Sequence, residues 1–119
     1  MKKDNEALLL ADAIVKGMEE KKAKDIVRLD LRNVKGAVAD FFVICHGDSD
    51  TQVEAIGKSI EEEVDKALNE GVWHREGFEN CEWVLLDYVN VVAHVFQRES
   101  RGFYAIEDLW GDAVIKKYD

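Results

Sequence analysis

Leu8, Ala11, Ile14, Val15 and Met18 recur at three- and four-residue steps and predict an amphipathic helix from Asn5 to about Lys21. Asp4 or Asn5 is placed to cap it, since a short polar side chain there can accept from the unpaired N–H groups of the first turn. The period then changes. "DIVRLDL", residues 25 to 31, alternates as a half-buried strand does, with Arg28 and Asp30 on one face. "DFFVICHG", residues 40 to 47, is almost continuously apolar and predicts a strand covered on both faces at the centre of a sheet.

Ser49 and Gln52 fit a capping box, in which each side chain satisfies a backbone N–H at a helix start. Val53, Ile56, Ile60, Val64, Ala67 and Leu68 continue as one helical face, with Gly71 as the stop. "WHREGFEN" predicts a short strand running into a turn. "EWVLLDY" and "VVAHVFQR" predict two antiparallel strands around Val89 and Asn90. A two-residue loop there sets Tyr88 opposite Val91, Asp87 opposite Val92, Leu85 opposite His94 and Trp83 opposite Phe96. Trp83, Asp87, His94 and Phe96 then share a face, with Asp87 and His94 as diagonal neighbours. Such a turn needs positive φ, which suits the β-branched Val89 poorly, so a wider loop with Asn90 alone left-handed is the alternative.

"SRGFYAIEDLWG" reads as a polar turn and a short helical segment ending near Gly111, and "DAVIKKYD" is expected to fray. The succession of elements predicts an α/β fold, a mixed sheet of about five strands flanked by helices. Residues 1–119 carry no Pro, repeat or linker and are expected to form a single domain.

The composition, 47% hydrophobic and 34% charged, is that of a globular chain. No apolar run approaches the roughly 18 residues of a membrane span, and the N-terminus continues into acidic residues, so a cytoplasmic location without membrane contact is expected. Cys45 and Cys81 lie far apart without CxxC spacing and read as buried thiols. Sixteen Lys and Arg against 25 Asp and Glu give a net charge of −9, which favours a basic protein partner over a dedicated nucleic-acid surface.

Catalytic chemistry finds little support. The "HGDS" turn resembles the Gly-Ser turn of nucleotidyltransferases, but those enzymes hold Mg²⁺ with paired carboxylates, and Asp30 has Arg28 and Arg32 at the neighbouring positions of its strand. Gly47 stands outside any GxGxxG or GxxxxGK pattern. Cys45 and His46 point to opposite faces of a strand, and His74 has no metal-ligand spacing around it. An Asp87–His94 pair would lack a nucleophile. Neither a cofactor nor a metal is implied, and a nucleotide-dependent transferase is the alternative rather than the leading reading.

In order along the chain, "KAKDIVRLDL", "ADFFVICHGDSDTQVEAI" and "EGFENCEWVLLDYVNVVAHVFQRESRGFYAIEDLW" resemble successive motifs of the ribosomal silencing factor, or Iojap-related, family. The last block carries Glu76, Gly77, Trp83, Leu86, Asp87, Val92, His94, Val95, Phe96, Arg101, Tyr104, Glu107, Leu109 and Trp110 in the family's order. The resemblance implies a nucleotidyltransferase-like fold without the catalytic carboxylates and a non-enzymatic role. Members bind the fourteenth protein of the large ribosomal subunit, keep the small subunit away and repress translation when nutrients run short. Trp83, Asp87 and Tyr88 are the implied contact residues, followed by Arg101 and Tyr104, while Leu86, Phe96 and Trp110 read as packing residues. His94 reads mainly as a hydrogen-bonding group within the sheet. Homodimers are compatible with the family, although no periodic exposed seam marks one. The family usually has Gly and then an acidic residue where this chain has Val89 and Asn90.

Overall fold

All seven residues of Phe41–Gly47 are buried, and this strand is the axis of the molecule. The computed structural model describes residues 2 to 118. In chain order they form α1 (Lys2–Glu20), β1 (Lys24–Asp30), β2 (Phe41–Gly47), α2 (Asp50–Leu68), β3 (His74–Glu76), β4 (Trp83–Asp87), β5 (Val91–Gln97), α3 (Arg98–Tyr104), α4 (Ile106–Leu109) and β6 (Val114–Lys117). The strands make one six-stranded sheet in the order β3-β4-β5-β2-β1-β6. Only β2 and β5 are parallel; the other pairings are antiparallel, so the sheet is mixed.

The sixth strand corrects the expected fraying. Val114 to Lys117 pair with Asp30 to Val27, and the Tyr118 N–H donates to the Ile26 carbonyl at 2.9 Å. Every β6 side chain is exposed, so the strand is held by its backbone ladder rather than by an apolar face that the pattern could reveal.

Alternation divides the core into two layers. Phe41, Val43, Cys45, Val84, Leu86, Val91, Ala93 and Val95 face α1 and α2. Val27, Leu29, Phe42, Ile44, Val92 and Phe96 face the opposite side, where Ile106 and residues of the 31 to 40 loop cover part of the sheet. The two long helices meet closely at Gly17: a Cβ there would lie 2.7 Å from the Ile60 Cα, and the Ser59 hydroxyl donates to the Gly17 carbonyl at 2.8 Å.

Helix boundaries differ from the sequence reading in two places, the start of α1 and the end of α2, and the cap at the start of α2 is built differently. Helix α1 already runs from Lys2 through Asp4 and Asn5, so Asn5 is no cap, and the Asp4 side chain lies outside the described residues. Ser49 does cap α2, accepting from the Gln52 N–H at 3.1 Å, but the Gln52 side chain accepts from Asp48 rather than Ser49 and donates to the Lys21 and Lys22 carbonyls. The box is thereby converted into a clamp between α2 and the α1–β1 turn. Helix α2 ends at Asn69, not Gly71, because Asn69 adopts the left-handed conformation, φ 52°, and its N–H closes on the Asp65 carbonyl.

Candidate interaction surface

Strands β4 and β5 pair in the expected register: Trp83 with Phe96, Leu85 with His94 and Asp87 with Val92. The loop is as tight as the first alternative required. Tyr88 N–H donates to the Val91 carbonyl at 2.9 Å, and Asn90 N–H reaches back to the Tyr88 carbonyl at 3.0 Å. It is Val89, not Asn90, that takes the positive φ, at 76°. That conformation is uncommon for a β-branched residue, and two contacts hold it. Asp87 Oδ1 accepts from the Val89 N–H at 2.7 Å, and the Asn90 carbonyl accepts from the Asp40 N–H at 2.7 Å.

Asp87 therefore turns toward the loop and not toward His94. The His94 partner is Trp83, whose indole N–H donates to Nδ1 at 3.1 Å. His94 is only 4% exposed, and burial depresses its pKa to about 4, so the ring is neutral near pH 7. Trp83 also packs on Phe96 at 5.0 Å and Tyr104 at 4.8 Å between ring centroids, and Phe103 meets Tyr104 edge-on at 5.1 Å. From His94 the ring contacts continue to Phe42 at 4.6 Å and from Phe42 to Trp110 at 5.9 Å.

This aromatic ladder lies on the sheet face away from α1 and α2, and its outer end is open. Phe103 is 81% exposed, and Leu109 of α4 is 73% exposed. Neither was singled out as a contact from sequence. The available signal was an excess of apolar residues in "GFYAIEDLW", more than so short a helical stretch can bury. The expected single helical segment is in fact two, α3 and α4, broken at Ala105 with φ 45°. The break lets Ile106 turn into the core while Phe103 stays outside.

The other implied contact residues have different surroundings. Tyr88 is 5% exposed and packs in the layer beneath α1 and α2, where burial pushes its hydroxyl pKa up. It anchors the loop from below rather than presenting its ring to solvent. The Arg101 side chain is 12% exposed and committed within the protein. Its Nε and Nη2 donate to Glu107 at 2.9 and 3.1 Å, and Nη1 lies 3.0 Å from His46 Nδ1. Tyr104 is exposed and joins Trp83 directly. The structure thus brings Trp83 and Tyr104 together, sets Asp87 at the loop end of the same face, and withdraws Tyr88 and Arg101 from the surface.

Asp30 and Asp48, the carboxylate of the "HGDS" turn, are each held by an arginine. Asp30 accepts from Arg32 Nε at 2.9 Å and Nη2 at 2.6 Å, which holds its pKa below the usual value. Asp48 takes Arg98 at 2.6 Å. Among the described residues, no three His, Cys, Asp or Glu side chains gather as a metal-binding group, and no helix is long and apolar enough to cross a membrane. Cys45 and Cys81 are buried free thiols, as expected.

Residues 4–119 match the family model described as "Ribosomal silencing factor during starvation". A ribosomal silencing factor of Bacillus subtilis is 44% identical over 101 residues, covering 85% of this chain and 84% of the relative. The chloroplastic Iojap protein of Zea mays is 33% identical over 93% of this chain and 47% of its own, longer chain. A crystal structure from Chromobacterium violaceum superposes with a TM-score of 0.80 at 33% identity, covering 86% of this chain and 83% of that one. One from Bacillus halodurans gives 0.74 at 34% identity over 97% and 98%. A family match over nearly the whole length, together with relatives of similar size and fold, shows that this chain belongs to the ribosomal silencing factor family.

Proposed function

We propose that this protein binds the fourteenth protein of the large ribosomal subunit in the cytoplasm, stands in the way of the small subunit, and so represses translation when nutrients run short. The observation that carries the reading is the open aromatic face, with the Trp83 and Tyr104 rings in tilted contact, Phe103 exposed beside them and Asp87 at its loop end. Fixed aromatics supply contact area at small entropic cost, and an acidic group beside them suits Lys or Arg on a basic ribosomal protein. Tyr88 and Arg101 belong to this site as supports, one beneath the loop and the other tying α3 to α4. A steric block requires no reaction, only a complex that competes with subunit joining.

Sedimentation of large and small subunits with and without the protein tests the reading. The expected result is co-sedimentation with large subunits and fewer joined ribosomes. Failure of both would remove the proposal. If Trp83→Ala or Tyr104→Ala variants with unchanged unfolding midpoints bound as well as the parent, the aromatic face would be the wrong surface.

A further inference from the structure

A second constellation stands at the other end of the sheet from the β4–β5 loop. We propose that the cleft over His46 is a binding site for a small organic anion that also carries an amine or a hydroxyl group. This inference rests on no part of the ribosome-binding reading.

The position suits a ligand. Parallel strands β2 and β5 end together at Gly47 and Gln97, and α2 and α3 begin just beyond them. Open α/β sheets hold ligands in crevices outside the carboxyl ends of their parallel strands. Here two cavities, of about 450 and about 350 Å³, share His46, Arg101 and Glu107 in their walls. Asp25, Lys117 and Tyr118 close the larger one.

His46 supplies a donor of fixed orientation. Glu107 grips the Arg101 guanidinium on two nitrogens, and Arg101 Nη1 lies against His46 Nδ1 at 3.0 Å. A guanidinium only donates, so Nδ1 accepts, and the proton of the neutral ring sits on Nε2. Burial, aided by the Arg101 charge, keeps the ring neutral. The resulting Nε2–H has no protein acceptor among the described residues, although His46 is almost wholly buried and walls both cavities. It is a donor presented to whatever fills the cleft.

Asp25 supplies the acceptor. Strand β1 bulges between Lys24 and Val27, and Asp25 takes a left-handed φ of 50° there. Bulges re-aim side chains, and this one sets a carboxylate on the cavity wall near enough to His46 to oppose the lowering of its pKa. Neither Asp25 nor Lys117 has an ion-pair or side-chain hydrogen-bond partner among the described residues. The cleft therefore offers an N–H and an ammonium group beside a free carboxylate. An acidic group on the ligand satisfies the first two, and an amine or hydroxyl on the same molecule satisfies the third. An inorganic anion would leave Asp25 unmatched and repelled.

The test is a titration of the ¹⁵N-labelled full chain, followed by NMR, with adenosine monophosphate, L-glutamate and inorganic phosphate in turn. The expected result is a saturable shift of the His46 Nε2 and Asp25 signals with one of the two organic probes below about 10 mM. Adenosine monophosphate would identify a phosphate with hydroxyls, and glutamate a carboxylate with an amine. Asp25→Asn should weaken the effective probe by about tenfold. His46→Phe should abolish the shift read at Asp25, and Lys117→Ala, on an exposed strand, should weaken the same response and reads the site should His46→Phe not fold. No saturable shift with either organic probe overturns the proposal. So does an equal response to inorganic phosphate that Asp25→Asn leaves unchanged.

Discussion

Trp83 and His94 are joined across β4 and β5 by an indole N–H to Nδ1 hydrogen bond of 3.1 Å, and this bond orders the aromatic face. In the observed register Leu85 stands opposite His94, so Trp83 and Asp87, two residues to either side of Leu85, are both its diagonal neighbours. The imidazole is buried, and a neutral ring accepting from an indole costs far less there than an imidazolium paired with a carboxylate. Asp87 is left to the loop and to solvent.

The burial of His94 makes stability pH-dependent. Its folded pKa of about 4 lies below the unfolded value of 6.5, so the unfolded state binds the additional proton as pH falls through that interval. The contribution of the neutral His94 is fully present above pH 6.5 and is lost toward pH 4, at a limiting slope of about 1.4 kcal/mol per pH unit. Burial of His46 contributes in the same direction. Urea unfolding at several pH values should show the decline, and His94→Gln, which keeps an acceptor for Trp83, should flatten it. An unchanged slope in that variant would contradict the assignment.

Val89 holds a positive φ of 76° that a β-branched side chain adopts only under constraint. Val89→Gly should relieve it and raise stability by about 1 kcal/mol, the strain released exceeding the entropy glycine adds to the unfolded chain. The denaturation midpoint checks this; a lower midpoint would mean that the exposed valine contributes more by packing than it loses in strain.

Asp87 combines a charge with a structural task, since its Oδ1 accepts from Val89. Asp87→Asn retains that acceptor and should weaken large-subunit binding by about 1 kcal/mol with the fold intact. Asp87→Lys should weaken it further and also loosen the loop. Binding measured at two salt concentrations separates the parts, because only the charge effect shrinks as salt rises. If Asp87→Asn binds like the parent, the carboxylate is not a contact.

Arg101 is expected to act on stability. Arg101→Ala would leave Glu107 without its two charge-assisted hydrogen bonds and His46 without its donor, at a cost of about 2 kcal/mol. Lys in its place should recover little, because an ammonium cannot grip Glu107 on two parallel bonds while reaching His46. Thermal unfolding of the two variants measures both effects. An Arg101→Ala protein of normal stability but impaired ribosome binding would return Arg101 to the interface.

Much of the molecule follows from local pattern. The apolar run through Phe41–Gly47 marks a strand buried on both faces, and the two residues between Tyr88 and Val91 set the hairpin register. Period and strand pairing are properties of short stretches, so they can be read before the chain is folded. The ordered motifs from Lys22 to Trp110 likewise carry the family.

The tertiary structure decided what depends on distant neighbours. Strand β6 has no inward face and exists only because β1 offers an edge. Tyr88 is in the core because α1 and α2 cover the sheet face it lies on, and Arg101 is withdrawn because Glu107 of α4 and His46 of β2 come around it. A sequence states which side chains are polar or large, and over short stretches which way they alternate. Which of two neighbours a buried polar group takes is fixed only when the packed chain sets the cost of leaving each of them unpaired. For His94 that choice fell on Trp83, which leaves the Asp87 carboxylate at the loop end of the aromatic face.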